Sequence, residues 1–181
     1  MKYSQTITLK NGKSCCIRQA GAADAAEMLR SFLQTHAETD YLLTYPDEST
    51  LTAEGEADYL QKLEESENAA ELCAIVDGKL VGSAGIEPLG TAEKMRHRAE
   101  FGVSIEKAYW GQGIGRALTS ACIAVAKEAG YAQLELQVVA DNRAAVALYE
   151  SMGFVEYGRN PRGFRSRTAG WQALVLMRLE L

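Results

Sequence analysis

The spacing of apolar positions changes several times along the chain, and each change marks an element. Ile7 and Leu9 lie before Asn11-Gly12, and Cys15 and Ile17 lie after it. Alternation around an Asn-Gly pair predicts an opening hairpin with a two-residue turn. Met28, Leu29, Phe32 and Leu33 then recur at helical spacing. Asp24, followed by Glu27, reads as a capping box at the start of that helix. Residues 37–50 lose the period and read as irregular. Residues 52–65 predict a second helix that carries Leu60 and Leu63 and is weakened by Gly55.

The period then shortens. Residues 72–76 and 80–86 are apolar strands joined across Asp77-Gly78, a second hairpin signal. Residues 88–95 read as a loop. Residues 98–105 form a strand with Phe101, Val103 and Ile105 on one face and Glu100, Gly102 and Ser104 on the other. A glycine-rich stretch from Gly111 leads into helical spacing at Ile114, Leu118, Ala121, Cys122, Val125 and Ala129, closed by Gly130. Leu134, Leu136 and Val138 mark another strand. Asn142 is a good N-cap for a helix that runs to Met152 and stops at Gly153. Residues 154–158 and 173–179 are the closing strands. This order predicts an α/β (α+β) fold in one domain, 1–181, with a mixed sheet and helices on both faces.

Composition narrows the function. The net charge of −5 disfavours nucleic acid as a partner, because phosphate contacts need clustered Lys and Arg. The basic group Arg159, Arg162, Arg165 and Arg167 reads as a solvated loop or an anion-attracting rim. No apolar run reaches the roughly 18 residues of a membrane span, and Met1 to Asn11 lack a signal-peptide core. A cytoplasmic protein without a membrane partner is expected. Cys15, Cys16, Cys73 and Cys122 form no CxxC pair and only two His are present, so reduced thiols and no metal are expected.

Two segments carry chemistry. In Trp110-Gly111-Gln112-Gly113-Ile114-Gly115-Arg116, three glycines lead a strand into a helix. Backbone without Cβ atoms can approach a ligand, and the free amides of a helix start attract phosphate. No Gly-Lys-Ser/Thr follows, so this is not a P-loop, and the spacing is not that of a dinucleotide-binding fingerprint. A tight strand-to-helix turn would use the same residues. In the second segment, 141–154, Asn142 and Tyr149 are seven apart and share a helix face. Alone, that tyrosine reads as core.

Together the segments resemble the GCN5-related N-acetyltransferase (GNAT) superfamily. The first resembles its Arg/Gln-x-x-Gly-x-Gly/Ala pyrophosphate motif. The second resembles its Asn-x-x-Ala-x-x-Leu-Tyr-x-x-x-Gly-Phe segment. The match runs from Glu100 to Phe154, and the element order agrees over the whole chain. His97 to Ile105 is similar to bacterial small-molecule and amino-acid acetyltransferases.

The resemblance implies a mostly antiparallel central sheet with a splayed strand pair that binds acetyl-CoA. It implies transfer of the acetyl group to a primary amine of a small molecule, an amino acid or antimicrobial-like amine. Val103, with Ser104 and Ile105, would offer backbone to the thioester and pantetheine. Gly111, Gln112, Gly113, Ile114, Gly115 and Arg116 would hold the pyrophosphate. Asn142 would contact the pantetheine arm or only cap its helix. Tyr149 would protonate the leaving thiolate, and Glu100 would take the amine's proton, directly or through water. His97 is a weaker candidate. Asp40, Tyr41, Tyr45 and Glu48 would line the acceptor pocket or pack the loop. Peptide acetylation and a non-catalytic CoA sensor are the alternatives. Homodimers are common in the family, and a homodimer is the protein partner the resemblance allows.

The chain departs from the pattern at three places. Trp110 replaces the motif's Arg or Gln. Gln137 stands where peptide N-terminal acetyltransferases carry a catalytic Glu, which argues against ribosomal-protein alanine acetylation. Residues 170–177 lack the acidic residue of similar enzymes.

Overall fold

The computed structural model describes residues 2–181. The elements in chain order are β1 (Ser4–Thr8), β2 (Ser14–Gln19), α1 (Ala25–Glu38), α2 (Ala53–Glu65), β3 (Ala70–Val76), β4 (Lys79–Pro88), β5 (Arg98–Ile105), α3 (Ile114–Glu128), β6 (Gln133–Val139), α4 (Arg143–Ser151), β7 (Val155–Ser166) and β8 (Gly170–Glu180). The eight strands form one sheet in the order β1-β2-β3-β4-β5-β6-β8-β7. Each neighbouring pair is antiparallel except β5 and β6. Among the described residues no helix is long and apolar enough to cross a membrane.

The strands alternate inward and outward. Ile17, Leu72, Ala74, Ala84 and Phe101 meet Leu118, Cys122 and Val125 of α3 in the main core. On the opposite face Cys73 and Leu80 meet Met28 of α1 and Leu60 of α2 in a smaller core. All four cysteines are free thiols.

Local chemistry modifies several expectations. Asp77-Gly78 is a two-residue turn with both residues in the left-handed region, φ 51° and 79°, as a type I′ turn requires. Asn11-Gly12 is not. Gly12 N–H bonds Leu9 C=O (2.9 Å), and pairing resumes at Thr8 and Ser14, so five residues make a wider turn in which Gly12 alone has positive φ. Asp24 does not cap α1. Its carboxylate turns back to Gly21 N–H (2.9 Å) and Arg18 (2.7 Å), while Glu27 pairs with Arg30. The buried face of α1 is also more polar than expected. Ser31, Thr35 and His36 are buried with Ala25 and Met28, whereas Leu33 is exposed. The last hairpin is longer than expected. Arg159, Arg162 and Arg165 lie on β7, not in a loop, because two irregularities let the strand continue past Pro161.

Candidate active site

The site begins where two strands stop pairing. Strands β5 and β6 are bonded only at Arg98–Gln133, Ala99–Leu134 and Glu100–Glu135. Just below the parting, buried Glu135 accepts from both ends of the Arg98 fork, from Gln133 Nε2 (2.8 Å) and from Tyr157 O–H (3.1 Å). The Arg98 hydrogen bonds above all hold its carboxyl below the usual range. Beyond this clamp, β6 follows β8 while β5 stays on β4 as far as Ile105. One edge of β5 is therefore left without a strand partner, and a cleft of about 1110 Å³ opens between the two strands.

The loop from β5 into α3 forms one end of the cleft. Gly111 and Gly113 have φ of 73° and 102°, a region costly for residues with a Cβ. Gly113 is the N-cap, and the first backbone bond of the helix runs from Ala117 N–H to Gly113 C=O (3.1 Å). The amides of 113–116 precede that bond and no side chain caps them. Asn142 instead satisfies its own helix, its side chain accepting from Ala145 N–H (3.3 Å). Gly115 lets α3 approach α4, since a Cβ there would lie 3.2 Å from Leu148. Trp110 donates its indole N–H to Ile105 C=O (2.7 Å) and so ties the loop to the end of β5. Lys10, Arg116 and Arg143 add positive charge along this end.

Tyr149 stands at the middle of the cleft. It is 7 % exposed and packed between Phe101 and Phe154, with ring centroids 6.0 Å and 5.8 Å away. Burial pushes its phenol up to about 12. Glu100 is exposed on the wall that β5 presents, and Gln137 lines the cleft from β6.

The far end is closed by two segments bonded to each other. Asp40 accepts from Ser166 and from Tyr45 O–H (3.0 Å), and its backbone C=O accepts from Gln172 (3.2 Å). Arg167 N–H donates to the Tyr45 oxygen (2.9 Å), and its guanidinium reaches Asp47 (2.8 Å) and covers the Tyr45 ring at 4.0 Å. Between these bonds and the sheet, Tyr41, Leu42, Leu43 and Phe164 line the cleft.

The structure brings Glu100, Val103, Ser104, Ile105, Gly111, Gly113, Gly115, Arg116, Asn142 and Tyr149 to this one cleft. Two motif residues point elsewhere. Ile114 is 1 % exposed in the core, and the Gln112 side chain meets Asn11 (2.5 Å) while its C=O accepts from Lys10 N–H. His97 is exposed at the start of β5, outside the cleft. Of the acceptor candidates, Tyr41 lines the cleft. Asp40 and Tyr45 form the bridge, and Glu48 accepts from Tyr45 N–H (2.7 Å). The sequence reading missed Thr35, Leu42, Leu43 and Phe164. The helical spacing of Met28, Ser31 and Thr35 was a usable signal for Thr35; the others lie in stretches without a period.

Residues 31–154 match the model of the acetyltransferase (GNAT) family. The chain is 32 % identical to an acetyltransferase of that family from Streptococcus pneumoniae. The match covers 92 % of this chain and 99 % of that structure, with a TM-score of 0.88. It is 38 % identical over 81 residues to the ribosomal protein bS18 alanine N-acetyltransferase of Escherichia coli K12, across 45 % of this chain and 54 % of that protein. A ribosomal-protein-alanine N-acetyltransferase from Brucella melitensis superposes with a TM-score of 0.79 at 28 % identity, over 91 % of this chain and 99 % of that one. The matched stretch spans about half or less of the curated relatives.

Proposed function

The chain belongs to the GNAT acetyltransferase family, and on that premise we propose that it moves the acetyl group of acetyl-CoA onto a primary amine of a small molecule. The observation that carries the choice of acceptor is the bonded bridge between residues 40–47 and 166–172. A polypeptide acceptor must run on from its reactive amine, and the bridge spans the side of the cleft by which it would leave. Gln137, at the position of a peptide acetyltransferase's catalytic Glu, supports the same reading. The likeness to ribosomal-protein acetyltransferases keeps peptide acylation as the alternative to be tested.

The residues present fit acetyl-CoA. The free amides of 113–116 and the cationic side chains around them suit the pyrophosphate. The open edge of β5 can accept the pantetheine arm as an added strand would be accepted. Acetyl-CoA supplies the acetyl group as a thioester. The Val103 amide is the donor proposed for the thioester carbonyl oxygen; a pre-aimed donor at such a place contributes on the order of 3 kcal/mol as charge develops there. Glu100 meets the acceptor ammonium at the mouth and opens the route by which it loses its proton. Tyr149, protonated far above neutral pH, gives its proton to the leaving sulfur.

The test is thiol release from acetyl-CoA with butylamine, phenylethylamine, free alanine and an alanine-initiated peptide. Turnover of a small amine and not the peptide supports the proposal. Turnover of the peptide alone replaces the acceptor class. Acetyl-CoA binding without turnover of any acceptor points to a sensor, and failure to bind acetyl-CoA removes the reading altogether.

A further inference from the structure

A second hollow, of about 310 Å³, opens on the α1 face of the sheet. It shares Leu42, Glu100 and residues 102–104 with the cleft. Phe32 and His36 of α1 roof it. In its floor Glu71 of β3, Gly85 of β4 and Gly102 of β5 stand side by side in register. This row carries almost no bulk. A Cβ at Gly85 would fall 2.2 Å from Glu71 Oε2, so the Glu71 carboxyl lies over the glycine. Neighbouring strands are about 4.8 Å apart. The carboxyl is therefore one strand from Gly102 and from the adjoining Val103 on the cleft.

Among the described residues no cation pairs with Glu71. Its influential neighbours are the Ser83 hydroxyl and the carboxylates of Glu56 and Glu87. The other ionisable groups around it differ in kind. Tyr59 of α2 donates to Glu87 (2.5 Å) and so occupies that carboxylate. His36, over the hollow, has its pKa lowered by burial. Glu100 stands at the mouth. The thiols of Cys73 and Cys122 are held protonated by burial. A part-buried carboxyl beside other carboxylates and without a cation favours its neutral form. Burial pushes Glu71 up to about 7; the Ser83 hydrogen bond opposes this, and Glu56 and Glu87 add to it.

We propose that Glu71 is a second catalytic carboxylate: the acceptor enters the hollow as an ammonium ion, guided by Glu100, and its proton comes to rest on Glu71. This rests on the acetyltransferase reading and adds to it a class of acceptor, a small cationic amine. An amine that carries its own carboxylate is repelled by Glu71, Glu87 and Glu100.

The protons balance. The ammonium gives one proton to the Glu71 carboxylate. The nitrogen forms the new N–C bond as the C–S bond breaks, and Tyr149 protonates the sulfur. The second amine proton passes through water to the Tyr149 oxygen, and Glu71 releases its proton to solvent. Below pH 7 Glu71 is already protonated and cannot take another, so kcat/KM rises with pH through about 7. Stability runs the other way. A carboxyl whose folded pKa is raised from 4.5 to about 7 favours the fold fully below the lower value, and that contribution is lost as pH rises through the upper one.

The experiment measures kcat/KM for butylamine and for alanine on both sides of pH 7 in wild type, Glu71→Gln and Glu100→Gln. Acetyl-CoA affinity and melting temperature are followed for each. Glu71→Gln is expected to lose the rise near pH 7 and about tenfold or more of its rate on the alkaline side. It should bind acetyl-CoA as wild type does and melt no lower there. Glu100→Gln should be slower and keep the rise. A Glu71→Gln enzyme that keeps both rate and profile, while wild type turns over, overturns the role of Glu71 alone. Faster turnover of alanine than of butylamine overturns the acceptor class. A wild type that turns over no amine overturns the acetyltransferase reading, and this proposal with it.

Discussion

Tyr149 keeps its ring in the core and its hydroxyl on the cleft, and the surrounding rings supply no hydrogen-bond acceptor. Tyr149→Phe removes only that hydroxyl. The expected result is a fall of about a hundredfold in kcat, with acetyl-CoA affinity and thermal stability unchanged. Steady-state kinetics beside calorimetry and melting check this, and a wild-type rate would remove Tyr149 from the chemistry. Because the phenol is pushed up to about 12, it should add no alkaline limb in the neutral range. At this scale the motifs were legible, with limits. Spacing placed Asn142 and Tyr149 on one face, since helical periodicity is local. It did not separate Gly113, whose amide is free, from Ile114, whose side chain is core, because a short motif does not state which way each residue turns. Glu71 was invisible. Its setting depends on glycines at 85 and 102, which come from two other strands.

The start of α3 joins an element's backbone to its chemistry. Gly113 has φ 102°, and a Cβ there would meet nothing within 4 Å, so the demand is on the backbone and not on space. Gly113→Ala should destabilise the fold by about 1–2 kcal/mol and raise the KM for acetyl-CoA, as the amides behind it shift. Melting and donor titration test this; an unchanged KM would separate the loop from the pyrophosphate. Element existence was legible nearly throughout, from β1 to β8 in order. Ends were less so. Sequence put the last hairpin's first strand at 154–158, but β7 reaches Ser166, because pairing to β8 carries it across two irregularities that interrupt the alternation. The start of α1 was misread because Asp24 had a stronger partner in Arg18, six residues back in the chain and on a strand.

The molecule as a whole is one sheet forced apart at a single point. The Arg98–Glu135 clamp fixes where the strands part, and the bridge from Asp40 to Ser166 fixes how far the far end opens. Asp40→Ala removes the acceptor shared by Ser166, Tyr45 and Thr168. It should raise the KM for a small amine several-fold while leaving the KM for acetyl-CoA unchanged, and turnover of the alanine-initiated peptide should increase relative to wild type. Unaltered selectivity between peptide and amine would mean that the bridge does not set the acceptor. This bridge joins residues 120 or more apart, and no local pattern announced it.

Local pattern along the chain was enough for the alternation of strands and helices, the two-motif signature, the glycines of the phosphate loop and the pairing of Asn142 with Tyr149. All of these follow from short-range periodicity and backbone preference. The splay itself was expected from the family resemblance, but its place, after three pairs of β5 with β6, came only with the folded chain, as did the bonding of residues 40–47 to the last hairpin and the position of the part-buried Glu71 over Gly85 beside the cleft. They arise where strands distant in sequence meet. Burial and like charge act through space there, and neither is written in the spacing of residues along the chain.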